Sequence, residues 1–167
     1  MKIVGTVKEV REQVKEWKKQ GHEVLVIHNS HCYPRVIHEI PEKLKKSLAA
    51  RMGFAISDYD AVKEKEYQDN GVKVFRLPIK KFIPHSQPSD NVIKRQVNKI
   101  VATLKKEKFE PDVITGHWAS PQMEIISELK TIYHCKTAVV LHGTGYIESP
   151  KFNAEEYLKN IDSLGAR

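Results

Sequence analysis

The sequence predicts an α/β fold, a Rossmann-like and mostly parallel sheet with helices on both faces, formed by residues 1–167 as one domain. Three observations point there. Residues 23–28, 72–77, 112–115 and 136–141 are short, nearly continuous apolar runs, the pattern of strands covered on both faces. Between them lie stretches with apolar residues three and four apart, the helical period. Strands that alternate with helices pair in parallel through right-handed crossovers.

The first helix is expected over residues 7–20, where Val7, Val10, Val14 and Trp17 share one face and Glu or Lys occupy the other. Thr6 and Glu9 have the spacing of a capping box, in which hydroxyl and carboxylate each satisfy an N–H left open at the helix start. Gly21 supplies the stop, because a residue without Cβ tolerates the left-handed conformation. The strand 23–28 (Glu-Val-Leu-Val-Ile-His) follows. Residues 30–69 are harder to assign: Pro34 and Pro41 interrupt them ahead of a Lys-rich stretch, 42–50, with helical character, and the pattern does not fix their topology. After the strand 72–77, residues 84–90 (Pro-His-Ser-Gln-Pro-Ser-Asp) read as a loop. Asp90 is placed to cap a helix over 92–105, whose stripe is Val97, Ile100, Val101 and Leu104. A strand at 112–115, a helix at 122–129 and the clearest strand, 136–141 (Lys-Thr-Ala-Val-Val-Leu), complete the order. No internal repeat or low-complexity tract interrupts it.

With 167 residues, 40% of them hydrophobic, the chain suits a single continuous core. No apolar run approaches the roughly 18–20 residues that span a bilayer, and Met1-Lys2-Ile3-Val4 leads into charge rather than a signal-peptide core. A cytoplasmic chain is expected. Cys32 and Cys135 lack CxxC spacing, so neither a disulfide framework nor a zinc ribbon is indicated. The formal net charge of +7 favours an anionic partner, whether phosphate, nucleic acid or a lipid surface, although the lysines are spread as on an ordinary solvated surface. Residues 79–84 (Ile-Lys-Lys-Phe-Ile-Pro) have the composition of a weak contact with the inner face of an anionic membrane. A strand edge or loop packed on the domain is the simpler reading. Nucleic acid is not expected as the main partner, since no recognised motif accompanies the charge.

In open parallel sheets ligands bind beyond the carboxyl ends of the strands, where loops and helix N-termini converge with unpaired N–H groups. Three histidine-bearing segments fall at such endings: His28-Asn29-Ser30-His31, Gly116-His117-Trp118 and His142-Gly143-Thr144-Gly145. Each taken alone reads first as a half-buried residue bonded to a loop carbonyl. The Gly143-Thr144-Gly145 turn lets backbone N–H groups approach a phosphate or sugar closely while Thr144 adds a donor. A tight turn needing positive φ is the structural alternative. Gly5 and Thr6 are placed to hold an anion against the first helix dipole, though the capping box already accounts for Thr6. His28, His31 and Cys32 are close enough in sequence to suggest a metal site, but no fourth ligand or supporting shell accompanies them, and no metal is expected. The chain has no Walker loop, no G-x-S-x-G elbow and no full G-x-G-x-x-G fingerprint.

These strand endings together resemble the N-terminal domain of GT-B-fold glycosyltransferases, in particular glycosyltransferase family 4. Residues 5–27, with Gly21-His22-Glu23-Val24 joining helix to strand, look like that family's opening helix, its R/Q-G-H-E-V junction and its second strand. Pro111-Asp112-Val113-Ile114-Thr115-Gly116-His117-Trp118 resembles the segment P-D-V-I-H-x-H-W, and Val139-Val140-Leu141-His142-Gly143-Thr144 resembles the turn V-x-T-x-H-G-[ST]-D. Order and spacing agree across nearly the whole chain. The resemblance implies one half of a GT-B fold, the half that holds the acceptor, with transfer in a cleft against a nucleotide-sugar-binding C-terminal domain. It implies a catalytic role for His142 near the donor sugar or diphosphate, and acceptor or substrate contacts for His117, Trp118, Gly143, Thr144, Gly5 and Thr6. The implied partners are a nucleotide-sugar donor, a sugar or lipid-linked acceptor and the missing C-terminal domain; no cofactor or metal is implied. Two departures stand out. The loop before the first helix is shorter than the family's, and Gly145 occupies a place where the family often has Asp. Nothing in the chain resembles the donor-binding sheet or its E-x7-E motif, so a fragment, a naturally split protein or a half-enzyme, inactive alone, is expected; the alternative is a non-catalytic binding module for a phosphorylated or polyanionic ligand.

Overall fold

The structure, a computed structural model, describes residues 7–52, 56–82, 86–117 and 121–140. In chain order the elements are α1 (Val7–Lys19), β1 (Leu25–His28), β2 (His31–Cys32), α2 (Arg35–His38), α3 (Glu42–Met52), α4 (Tyr59–Val62), β3 (Lys65–Asp69), β4 (Val72–Arg76), β5 (Ile79–Lys80), α5 (Asp90–Glu107), β6 (Val113–His117), α6 (Gln122–Tyr133) and β7 (Lys136–Val140). They form a mixed α/β structure with small sheets, parallel in part. Its contacts gather into two compact units, one containing residues 7–22 and 89–140 and the other residues 23–88.

In the first unit α1 ends as its sequence dictates. Gly21 adopts φ +83°, the Gly21 N–H donates to the Lys18 carbonyl at 3.1 Å, and the His22 N–H reaches back to the Trp17 carbonyl at 3.0 Å. This pair of bonds satisfies carbonyls that the helix leaves open. Thr6, the proposed cap at the other end, lies outside the described residues.

Helix α5 is longer than its apolar stripe suggested, and Ser89 rather than Asp90 takes the position before its first turn. The Val92 and Ile93 N–H groups donate to the Ser89 carbonyl at 2.8 and 3.0 Å. The helix buries Ile93, Val97, Ile100 and Leu104 and packs on α6, which buries Met123, Ile125, Ile126 and Leu129. Strands β6 and β7 pair in parallel, as the alternation of strand and helix requires. Ile114 of β6 and Val139 of β7 rest on Met123 and Ile126. On the opposite face of this pair Val113 is 58% exposed, and Thr115 and Ala138 are exposed with it.

The second unit has a topology that the sequence did not disclose. β1 and β4 are parallel from Leu25↔Lys73 to His28↔Arg76, and β2 and β5 continue at the same offset from His31↔Ile79. The Leu77 N–H donates to the His28 carbonyl at 3.0 Å, the Ile79 N–H to Ser30 at 2.7 Å and the Lys81 N–H to Cys32 at 2.9 Å. The two short sheets are therefore successive stretches of one parallel ribbon. Ile79, 1% exposed, anchors the start of the basic and apolar run 79–84 within this ribbon, whereas Phe82 is 76% exposed.

β3 lies antiparallel on the other side of β4. The connection is Asn70-Gly71, with φ +50° and +75°, the left-handed pair whose twist suits a two-residue hairpin. β3 reads Lys-Glu-Tyr-Gln-Asp and is largely exposed, so it carries no apolar signal. The Lys-rich stretch is helical as α3. Lys45, only 7% exposed in its side chain, is held there by Glu42 at 2.9 Å and Asp58 at 2.5 Å. Both carboxylates hold the ammonium charged by hydrogen bonding and push its pKa up. No described helix is long and apolar enough to cross a membrane.

Candidate functional site

The register Val113↔Lys136 through His117↔Val140 sets the carboxyl ends of β6 and β7 side by side. α6 begins five residues after His117, so its N-terminus falls at the same end of the strand. Gly116 allows the helix to lie this close to the strand. A Cβ there would stand 2.0 Å from Ile126 Cδ1 and 3.4 Å from Ile126 Cγ1. Alternation along β6 then puts Ile114 and Gly116 toward α6, and Val113, Thr115 and half-buried His117 on the other face. His117 thus closes a strand on the face away from the helix. Trp118, His142, Gly143, Thr144, Gly5 and Thr6 lie outside the described residues.

The other histidine-bearing ending lies in the second unit and separates into different environments. His28 and His31 are three apart on a continuous ladder whose faces alternate, so they point to opposite sides. Burial holds the His28 pKa below its ordinary 6.5, and the Arg76 guanidinium adds to the effect. His31 is lowered by burial too, with Lys81 beside it. Among the described residues no three His, Cys, Asp or Glu side chains converge as metal ligands. The suggestion of a metal on His28, His31 and Cys32 therefore fails on geometry.

Cys32 turns inward to His38, a residue that sequence reading passed over. The His38 ring is 3% exposed. Its Nε2 receives the Tyr33 N–H at 3.0 Å, and its Nδ1 faces the Ser57 carbonyl at 2.7 Å. These partners fix the tautomer: the proton sits on Nδ1, and Nε2 accepts. Cys32 Sγ stands 3.9 Å from Nε2 and donates to the Tyr33 carbonyl at 3.4 Å. Burial pushes the Cys32 thiol up, away from the reactive thiolate. Tyr33 and Tyr59 pack tilted rings around the imidazole, with centroids 6.1 and 5.8 Å away. With both ring nitrogens committed, His38 ties loop to loop and has no proton to offer a substrate. Nothing in the spacing of Arg-Val-Ile-His marks it, because its partners come from residues 33 and 57.

A shallow groove of about 410 Å³ opens at the amino ends of β6 and β7, lined by Pro111, Asp112, Tyr133 and Cys135 among others. The Tyr133 hydroxyl is buried without a hydrogen-bond partner, and burial, with Glu110 and Cys135 adding, raises its pKa. The groove lies at the end of the strand pair opposite His117. The carboxyl end is the better candidate, because there the positive end of the α6 dipole follows the strand ending.

Comparison with known protein families, with curated proteins and with solved structures finds no match.

Proposed function

We propose that this chain is the acceptor-side domain of a nucleotide-sugar-dependent glycosyltransferase of the GT-B type, working with a separate donor-binding domain. The observation that carries the reading is the side-by-side placement of the carboxyl ends of β6 and β7. The two sequence blocks most like glycosyltransferase family 4, residues 111–118 and 139–144, overlap β6 and β7 at residues 113–117 and 139–140. In this reading the chain is a Rossmann-like domain with a mostly parallel sheet and helices on both faces. His117 lines the acceptor side, and His142 meets the donor sugar or its diphosphate. Trp118, Gly143 and Thr144 complete the substrate contacts, with Gly5 and Thr6 at the opening of α1. Closure of the two domains excludes water from the glycosyl donor.

The experiment is a pair of measurements. Titrating the chain with candidate sugar acceptors should shift resonances at His117 and at residues 141–145 in a saturable way. In the two-domain enzyme His142→Ala should lower kcat by about a hundred-fold, the scale of a lost acid, base or charge-stabilising contact, with the melting temperature unchanged. An unchanged rate in a folded His142→Ala protein overturns the assignment of His142. No acceptor response at either strand end overturns the reading as a whole.

A further inference from the structure

Across the sheet formed by β1, β4 and β3 the registers set three basic residues in one row. His28 faces Arg76 in the parallel pair, and Arg76 faces Lys65 in the antiparallel pair. Residues in register share a sheet face, and neighbouring strands lie about 4.8 Å apart, so the row spans about 10 Å. Like charges directly opposite one another work against a sheet. The other face of the same sheet follows the usual arrangement, with Lys73 meeting Glu66 at 3.1 Å.

The row has no such partner. Among the described residues no carboxylate lies within ion-pair distance of His28, Arg76 or Lys65, although Lys65 is near enough to help keep Asp60 ionised, and the ion pairs around them are made by Arg35, Lys45, Lys63 and Lys73. The acid beside the row, Asp60, is taken by Lys63 at 2.7 Å. Arg76 Nη1 donates to the main-chain carbonyl of Asp60 at 3.1 Å and leaves its carboxylate alone. Arg76 Nε is shut away from solvent with no acceptor at all. Tyr67, on the same face, sits under both long cations, with its ring centroid 5.8 Å from Lys65 Nζ and 5.5 Å from Arg76 Cζ. These contacts hold two flexible side chains over one aromatic ring, and Arg76 is near enough to the His28 imidazole to disfavour its protonation.

We infer that the His28, Arg76 and Lys65 row binds a single phosphate group, carried by a phosphate monoester or free in solution. A turn of the Arg76 side chain that releases the Asp60 carbonyl brings Nε and one Nη as a fork to two oxygens, the geometry that favours Arg at phosphate. Lys65 and His28 close on the group from the two sides. A phosphate matches two cations and a neighbouring imidazole better than a carboxylate does, because it brings a further oxygen and up to two charges. The positive field of the row is also felt by the His28 imidazole, which Arg76 discourages from protonation. This site lies wholly within residues 23–88 and is independent of the glycosyl-transfer reading.

The test uses the full chain at constant ionic strength. Inorganic phosphate and glycerol phosphate are titrated separately, with chloride as the control, while NMR follows the His28 imidazole and the amides of Lys65 and Arg76. A saturable, one-site response to either probe is expected, weakened about ten-fold or more by Arg76→Gln and by Lys65→Glu and untouched by Lys46→Gln. Lys65 is exposed on an edge strand, so its replacement keeps the experiment decisive should Arg76→Gln fold poorly. A response to the ester alone assigns an esterified ligand, and a response to inorganic phosphate alone assigns the free ion. Shifts that track ionic strength only, or that persist in both substituted proteins, overturn the site. So does tighter binding of a mixed-sequence oligonucleotide with a salt dependence steeper than one phosphate accounts for.

Discussion

The helix and strand repeat from α5 to β7 and the ribbon of residues 23–88 use similar elements in different ways. The first is held by a stripe of Ile, Val, Leu and Met on two helices, against which Ile114 and Val139 of a parallel strand pair come to rest. The second buries Val72, Val74, Phe75, Leu77 and Ile79 along one chain segment, but its surrounding loops are gathered by polar contacts. Lys45 reaches Asp58, Ser30 Oγ donates to the Val62 carbonyl at 2.9 Å, and His38 spans residues 33 and 57. An apolar stripe tolerates small changes of shape at a graded cost, whereas a committed buried donor or acceptor fails abruptly when its partner is removed.

That contrast is open to direct attack. The largest effect is expected from Ile126→Ala, which empties a core position under β6 and β7 and should cost about 3.5 kcal/mol in urea denaturation. Loss of amide protection should concentrate in residues 113–117 and 136–140. His38→Ala should come next, at about 3 kcal/mol, because it strands the Tyr33 N–H and the Ser57 carbonyl together. Hydrogen exchange should then locate the damage at residues 30–62. A cost for His38→Ala no larger than an exposed substitution would erase the proposed difference between the two units.

Gly116→Ala should be milder, about 2 kcal/mol, since the added methyl forces the Ile126 terminal carbon to move within a filled core. The double substitution Gly116→Ala with Ile126→Val should recover part of that loss, which thermal melting can measure. The smallest effect is one of pH. Burial lowers the pKa of His28 and of His31, with Arg76 and Lys81 adding, so the unfolded chain takes up protons before the folded unit does. The stability at stake is fully present above the ordinary value of 6.5 and falls away as pH drops through the lower folded values. Denaturation midpoints measured from pH 7.5 to 5 should show this decline, with a shallower slope in His28→Asn.

The same contrast explains what could be read from the sequence. The four predicted strands overlap β1, β4, β6 and β7, because each carries enough Val, Ile or Leu to form an apolar run. Gly21 marked the end of α1 because only its missing Cβ makes φ +83° easy. β3 was illegible as a strand, since an exposed edge built of Lys, Glu, Gln and Asp has the composition of a loop. The signal that was present, Asn70-Gly71 ahead of Val72, is one of turn chemistry rather than hydrophobicity. The three-residue basic row escaped for a deeper reason. His28, Lys65 and Arg76 are distant in sequence, and only the strand registers bring them together. His117 was legible as a strand ending, although its neighbours on that face depend on pairing that no local pattern encodes.

The shared strand β4 also dictates an order of assembly. On one side it meets β3 through a two-residue turn, a closure that takes microseconds. On the other it must capture β1 from about fifty residues away, and the longer loop costs about 2 kcal/mol more entropy before any parallel bond rewards it. The hairpin therefore stands first, as a template with one open edge. The arrival of β1 is then expected to set the folding rate of the unit and to bring His28 alongside Arg76 last, an order that substitutions in β1 which leave the refolding rate unchanged would contradict.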